Sequence, residues 1–83
     1  MDSPESLPEI LVDARGHRCP VPTLKLRRAL EAAPAGARLR LLADDPLARI
    51  DVPHFLTEAR AMLADVTEEA GALSFLIVKG EVT

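Results

Sequence analysis

The chain has 83 residues, enough for one hydrophobic core and too few for two. Apolar residues make up 48% of it and no long polar tract interrupts them, so an ordered globule is expected rather than disorder. Two Phe with no Tyr or Trp argue against base-stacking functions, and ten basic against thirteen acidic residues, with a pI near 5.3, disfavour generic binding to nucleic acid.

Residues 1–8 (MDSPESLP) read as a flexible N-terminal tail, and one domain is expected over 9–80. Acid and proline stand in this tail where a secretory leader would carry basic and apolar residues, and no apolar run is long enough to span a membrane. A cytoplasmic protein is expected. Glu9 to Asp13 (EILVD) predicts a short strand, and Ala14 to Cys19 (ARGHRC) a loop with Gly16 free to take a positive φ. A helix should begin around Pro20 to Pro22, since proline is tolerated in a first turn, and end at Pro34 and Gly36. At 100° per residue, Cys19, Thr23, Leu26, Ala29, Leu30 and Ala33 share one side. Lys25, Arg27, Arg28 and Glu31 share the other, with Val21 and Leu24 as apolar exceptions among them.

Arg38 to Ala43 (RLRLLA) alternates and then turns fully apolar, as a buried strand of a mixed sheet would. Asp44-Asp45-Pro46 is a helix-start signal, an Asp cap followed by proline at the first helical position. Pro53 is expected to break that helix after one turn, with Asp51 capping a restart through His54, Phe55, Ala59 and Met62. Met62 to Glu69 alternates poorly and places no clear boundary. Leu73 to Lys79 (LSFLIVK) predicts a strand, and Gly71 marks the turn before it. The order βαβαββ implies a two-layer α/β sandwich, a four-stranded mixed sheet covered on one face by two helices.

The single cysteine can form no internal disulfide, and no Cys/His cluster has zinc-site spacing, so neither metal nor cofactor is expected. Cys19 follows Arg18 and precedes a helix whose first-turn N–H groups carry partial positive charge; both favour thiolate over thiol. Pro20 and Pro22 stiffen the backbone there. The residues alone leave two readings of Cys19 open, a reactive anionic sulfur and a small buried apolar side chain. Of the seven basic residues in positions 1–40, five gather around it: Arg15, Arg18, Lys25, Arg27 and Arg28.

The segment from Leu11 to Leu30, with Cys19-Pro20-Val21-Pro22 opening the helix, resembles the signature of the TusA/SirA-like sulfur-carrier family. The resemblance continues through Leu42–Pro46, Ile50–Pro53 and Phe75–Lys79, in the family's order and spacing, and covers about residues 9–80. It implies the same βαβαββ sandwich and a mechanism. Cys19 would take a sulfane sulfur from a donor protein, of cysteine desulfurase or rhodanese type, hold it as a persulfide, and surrender it to an acceptor protein. Such sulfur relays feed tRNA thiolation, cofactor assembly or sulfur oxidation. Pro20, Pro22 and Arg18 would support the cysteine, and Lys25, Arg27 and Arg28 would dock an acidic partner. Direct binding to nucleic acid is not expected.

The chain departs from the family pattern at three places. His17 stands where an aliphatic residue is usual, and reads as an exposed loop histidine rather than a partner for the thiolate. Leu56 replaces a second cysteine found in many relatives, which excludes two-thiol chemistry, and Arg60-Ala61 replaces a Gly-His pair. His54 is expected to face solvent, and capping accounts for Asp44, Asp45 and Asp51. The competing functions are a non-enzymatic regulatory or protein-binding module of the same fold, and a thiol redox sensor acting through Cys19.

Overall fold

The computed structural model describes residues 9–18 and 21–80; the tail 1–8 and the motif residues Cys19 and Pro20 lie outside the described residues. The elements are β1 (Ile10–Asp13), α1 (Val21–Ala32), β2 (Arg38–Ala43), α2 (Ala48–Ala59), β3 (Ala61–Glu69) and β4 (Ala72–Lys79). They form one four-stranded sheet in the order β1-β2-β4-β3. β1 and β2 run parallel, and β4 pairs antiparallel with β2 on one side and β3 on the other.

Strand alternation builds the core. Leu39, Leu41 and Ala43 of β2 and Leu73, Phe75 and Ile77 of β4 are buried against Leu26 and Leu30 of α1 and Ala48, Val52 and Leu56 of α2. The helical residues recur at i and i+4, so each helix lays one stripe on the same face of the sheet. The other face is polar in part: the Arg40 guanidinium donates to Glu9 at 2.9 Å and to the Ser74 hydroxyl at 2.7 Å. Leu42 lies half-buried on this open face, so β2 alternates along its whole length rather than becoming enclosed on both sides.

Helix α1 ends as expected, and the structure adds a clamp. The Lys79 ammonium, at the end of β4, donates to the carbonyls of Leu30 and Ala33, 2.6 Å each. The Leu30 carbonyl also accepts the Ala33 N–H at 3.2 Å, and a cation at this end complements the helix dipole.

Three expectations for the second half are corrected. First, Pro53 does not break α2, which runs unbroken from Ala48 to Ala59 with Pro53 inside it. Proline removes one backbone bond, to the Arg49 carbonyl, but the buried stripe Ala48, Val52, Leu56 outweighs that local cost. Asp51 is therefore no cap; its own N–H donates to the Leu47 carbonyl within the first turn. Secondly, the Asp45 carboxylate accepts the Leu47 N–H at 3.0 Å, closing the turn that leads into α2, whereas Asp44 does not cap the helix at all. Thirdly, the helix stops at Ala59 rather than running through Met62. Arg60 takes a left-handed conformation (φ 57°, ψ 40°), and β3 follows at once.

Gly80 fits this reversal, because a Cβ there would lie 2.1 Å from the Arg60 carbonyl oxygen. Its N–H instead donates to that oxygen at 3.1 Å. A side chain in the left-handed region costs about 1–2 kcal/mol, a cost glycine avoids. Arg60→Gly is thus expected to stabilise the fold by about 0.5–1 kcal/mol, read as a higher urea midpoint at unchanged slope. A lower midpoint would mean that the Arg60 side chain contributes more than its backbone costs.

Candidate functional site

The loops that follow β1 and β2 lie at the same end of the sheet, because these strands are parallel neighbours. Both helices begin at that end, an arrangement that in α/β folds places functional groups beyond the carboxyl ends of the strands. Residues 14–18 of the first loop are held at successive points. The Ala14 N–H donates to the Leu42 carbonyl at 2.8 Å and His17 N–H to the Ala14 carbonyl at 3.3 Å. The Gly16 N–H meets both carboxylate oxygens of Asp44 at 3.0 Å each. Gly16 sits at φ +85°, a conformation that favours glycine, and this turn directs its N–H at Asp44. Finally, the Arg18 carbonyl accepts the Val21 N–H at 2.9 Å, which starts α1. Between Arg18 and Val21 the chain carries Cys19 and Pro20, outside the described residues.

The two loops enclose an open recess of about 610 Å³ lined by Gly16, His17, Arg18, Asp44, Asp45, Pro46 and Leu47. His17 and Arg18 are exposed on it, as the loop reading requires. Pro22 is fully buried and anchors the first turn of α1 in the core. Beside the recess, Arg15 forms a two-point ion pair with Asp13, its Nε at 2.9 Å and a terminal nitrogen at 2.8 Å. That guanidinium hydrogen bond, first among the causes, holds the Asp13 carboxyl down at about 2. Asp13 therefore stays anionic throughout the neutral range and occupies Arg15.

The cations of α1 separate. Lys25 and Arg28 border a groove of about 500 Å³ with Leu11, Val12, Asp13, Val21 and Leu24. The apolar exceptions of the helix lie here in the open, Leu24 at 54% and Leu11 of the edge strand at 62% exposed. Arg27 instead leans toward the other helix, 5.6 Å from the Phe55 ring centroid. His54 is exposed, with Nε2 3.6 Å from the Glu58 carboxylate. Among the described residues, no group of three His, Cys, Asp or Glu side chains could hold a metal ion. No helix among them is long and apolar enough to cross a membrane.

Two features escaped the sequence. The Asp44–Gly16 contact joins residues 28 apart, and only the parallel register of β1 on β2 brings them together. The Arg27–Phe55 contact depends on how α1 lies beside α2, for which helical phase alone carries no signal.

A mixed four-stranded sheet under two helices, with a pinned loop leading into the first of them, defines the SirA-like class of small α/β proteins. A solved SirA-like protein from Desulfitobacterium hafniense superposes with a TM-score of 0.74 at 27% identity, over 87% of this chain and 99% of that one. The sequence model of the family described as Sulfurtransferase TusA matches residues 10–79. The chain is also 35% identical over 83 residues to the sulfur carrier protein TusA of Pseudomonas fluorescens (strain SBW25), covering 99% of this chain and 100% of that protein. It is 35% identical over 72 residues to the sulfur carrier protein TusA of Pseudomonas putida (strain W619), covering 87% and 90%. The chain belongs to the TusA family of sulfurtransferases and sulfur carriers.

Proposed function

We propose that this protein, a single domain over residues 9–80, is a cytoplasmic sulfur carrier that holds sulfur as a persulfide on Cys19. The observation that carries the reading is the family match over residues 10–79, within which Cys19 is the sole cysteine. The transfer balances without an added oxidant. The Cys19 thiolate attacks the terminal sulfur of a donor persulfide; a new S–S bond forms, the donor's S–S bond breaks, and the donor sulfur leaves as thiolate. The same exchange in reverse order, with an acceptor thiolate attacking the terminal sulfur, returns Cys19 to thiolate.

Supporting groups follow from the sequence neighbourhood. Arg18 precedes the cysteine and α1 begins at Val21, so a cationic side chain and the positive end of a helix dipole flank the carried anion in the chain. Pro20 and Pro22 limit backbone freedom around it. A lone cysteine has no internal partner that would discharge the persulfide as a disulfide. A cysteine desulfurase or rhodanese-type protein acts as donor and a second protein as acceptor, both meeting acidic surface to the cations of α1. Lys25 and Arg28, beside exposed Leu24, form one docking rim, and Arg27 a second on the other flank.

Transfer from a persulfide-loaded rhodanese-type or desulfurase donor, followed by rapid quench, tests the reading. The wild-type protein should gain the sulfur, and Lys25→Glu with Arg28→Glu should slow the gain about tenfold at low salt, less at high salt. No transfer to the wild type from either donor would overturn the carrier function. An unchanged rate in the charge-reversed protein would remove Lys25 and Arg28 from the docking surface.

A further inference from the structure

We infer that Asp44 is a positioning residue for sulfur transfer: by gripping the Gly16 N–H it sets the loop that presents Cys19. This inference rests on the sulfur-carrier reading. The sequence offers Asp44 a simpler role as a helix cap, and the structure removes it. The turn into α2 is closed by the carboxylate of Asp45, and Asp44 faces the other way. Both Asp44 oxygens lie 3.0 Å from the Gly16 nitrogen, so the amide proton is shared between them.

A carboxylate is a strong acceptor for a backbone N–H, and this one spans the gap between the two loops just beyond the Ala14–Leu42 hydrogen bond. Downstream of that bond, the described residues 15–18 have three further backbone ties: the Arg15 N–H to the Asp13 carboxylate at 3.1 Å, His17 to Ala14 inside the loop, and Arg18 to Val21 at the helix. Arg15 is thus held to β1, and the Asp44 contact ties the next residue, Gly16, across to the loop that follows β2. Cys19 follows Gly16 by three residues, so a shift of the turn passes along the chain to the sulfur. Displacements of about 1 Å in a reacting group can lower a rate by up to two orders of magnitude.

Asp44 also carries charge beside this loop, and its field reaches Arg15. Position and charge are therefore separated by two variants. Asp44→Asn keeps an acceptor oxygen and loses the charge, while Asp44→Ala loses both. In the full-length protein, two rates at neutral pH are compared per folded molecule: sulfur gain from a persulfide-loaded donor, and alkylation of Cys19 by iodoacetamide. Positioning predicts that Asp44→Ala lowers both about tenfold, whereas Asp44→Asn stays within about threefold of wild type. Equal rates in the two variants, both far from wild type, would assign the effect to charge and overturn the inference. Wild-type rates in folded Asp44→Ala would reduce Asp44 to a stability role and overturn it as well.

Alkylation needs no sulfur chemistry, so failure of the carrier reading, seen as absent sulfur gain in the wild type, leaves the Asp44 comparison intact. Should Asp44→Ala fail to fold, hydrogen exchange of the Gly16 amide in the wild type decides the underlying contact. Strong protection is expected; exchange at the rate of an open loop would overturn it.

Discussion

Replacing Cys19 with alanine is expected to abolish sulfur uptake while changing the unfolding free energy by less than about 1 kcal/mol. The first half follows from composition: with a single cysteine, no other side chain in the protein can hold sulfane sulfur as a persulfide. The second half separates the two roles that the residues alone left open. A cysteine serving as a packed apolar group should destabilise the fold when truncated, by the lost transfer energy and the space left behind. The core formed by the described residues is already continuous across β2, β4 and both helices. Parallel measurement of sulfur gain and urea unfolding on Cys19→Ala decides between them. Retained uptake would contradict the carrier role, and a large loss of stability would assign Cys19 to the core.

Phe75→Ala is expected to destabilise the protein by about 3–5 kcal/mol. Phe75 is 1% exposed and occupies the middle of β4, one of the two central strands, opposite Leu41 on one flank and Val66 on the other. It is also one of only two aromatic side chains, so no neighbouring ring can take up the vacated volume around it. A domain of this length has a total stability of roughly 4–12 kcal/mol, so the variant should sit close to its unfolding transition at room temperature. Met62 supplies the contrast. It is 68% exposed on β3, and Met62→Ala should change stability by no more than about 0.5 kcal/mol. Urea titrations of the two variants test whether the core lies where β4 crosses it; a Phe75→Ala loss below about 1.5 kcal/mol would show that it does not.

The sequence was most legible where burial follows one period. β1, α1, β2 and β4 each carry a stripe that meets the core, and their limits fall within a residue or two of expectation. β3 lacked such a stripe because it is an edge strand, with only Ala61 and Leu63 partly buried. Its register also shifts between Leu63 and Asp65, and an irregularity of that kind interrupts alternation. The hairpin turn that follows was visible through Gly71, which joins Ala70 at positive φ as a tight primed turn requires. The course of α2 was misread for a different reason. Proline and the aspartates gave strong local signals, and tertiary burial of Val52 and Leu56 overrode the first, while Asp44 served another loop.

The site was legible in part for similar reasons. Cys19 stood out through its uniqueness and its proline-flanked place before a helix, both properties of consecutive residues. Asp44 did not, since nothing in the sequence around it specifies the partner 28 positions upstream. Nor did the division of the basic helix face. A helical projection groups Lys25, Arg27 and Arg28 together, yet the neighbouring α2 draws Arg27 to Phe55 and leaves the other two beside the β1 edge.

The most direct test of the account is the intact mass of the protein after incubation with a persulfide-loaded donor, recorded before and after treatment with a thiol reductant. The account predicts a gain of one sulfur atom, placed on Cys19 by fragmentation, lost on reduction and transferable to an acceptor thiol. An unchanged mass in the presence of donors active toward other thiols would contradict it.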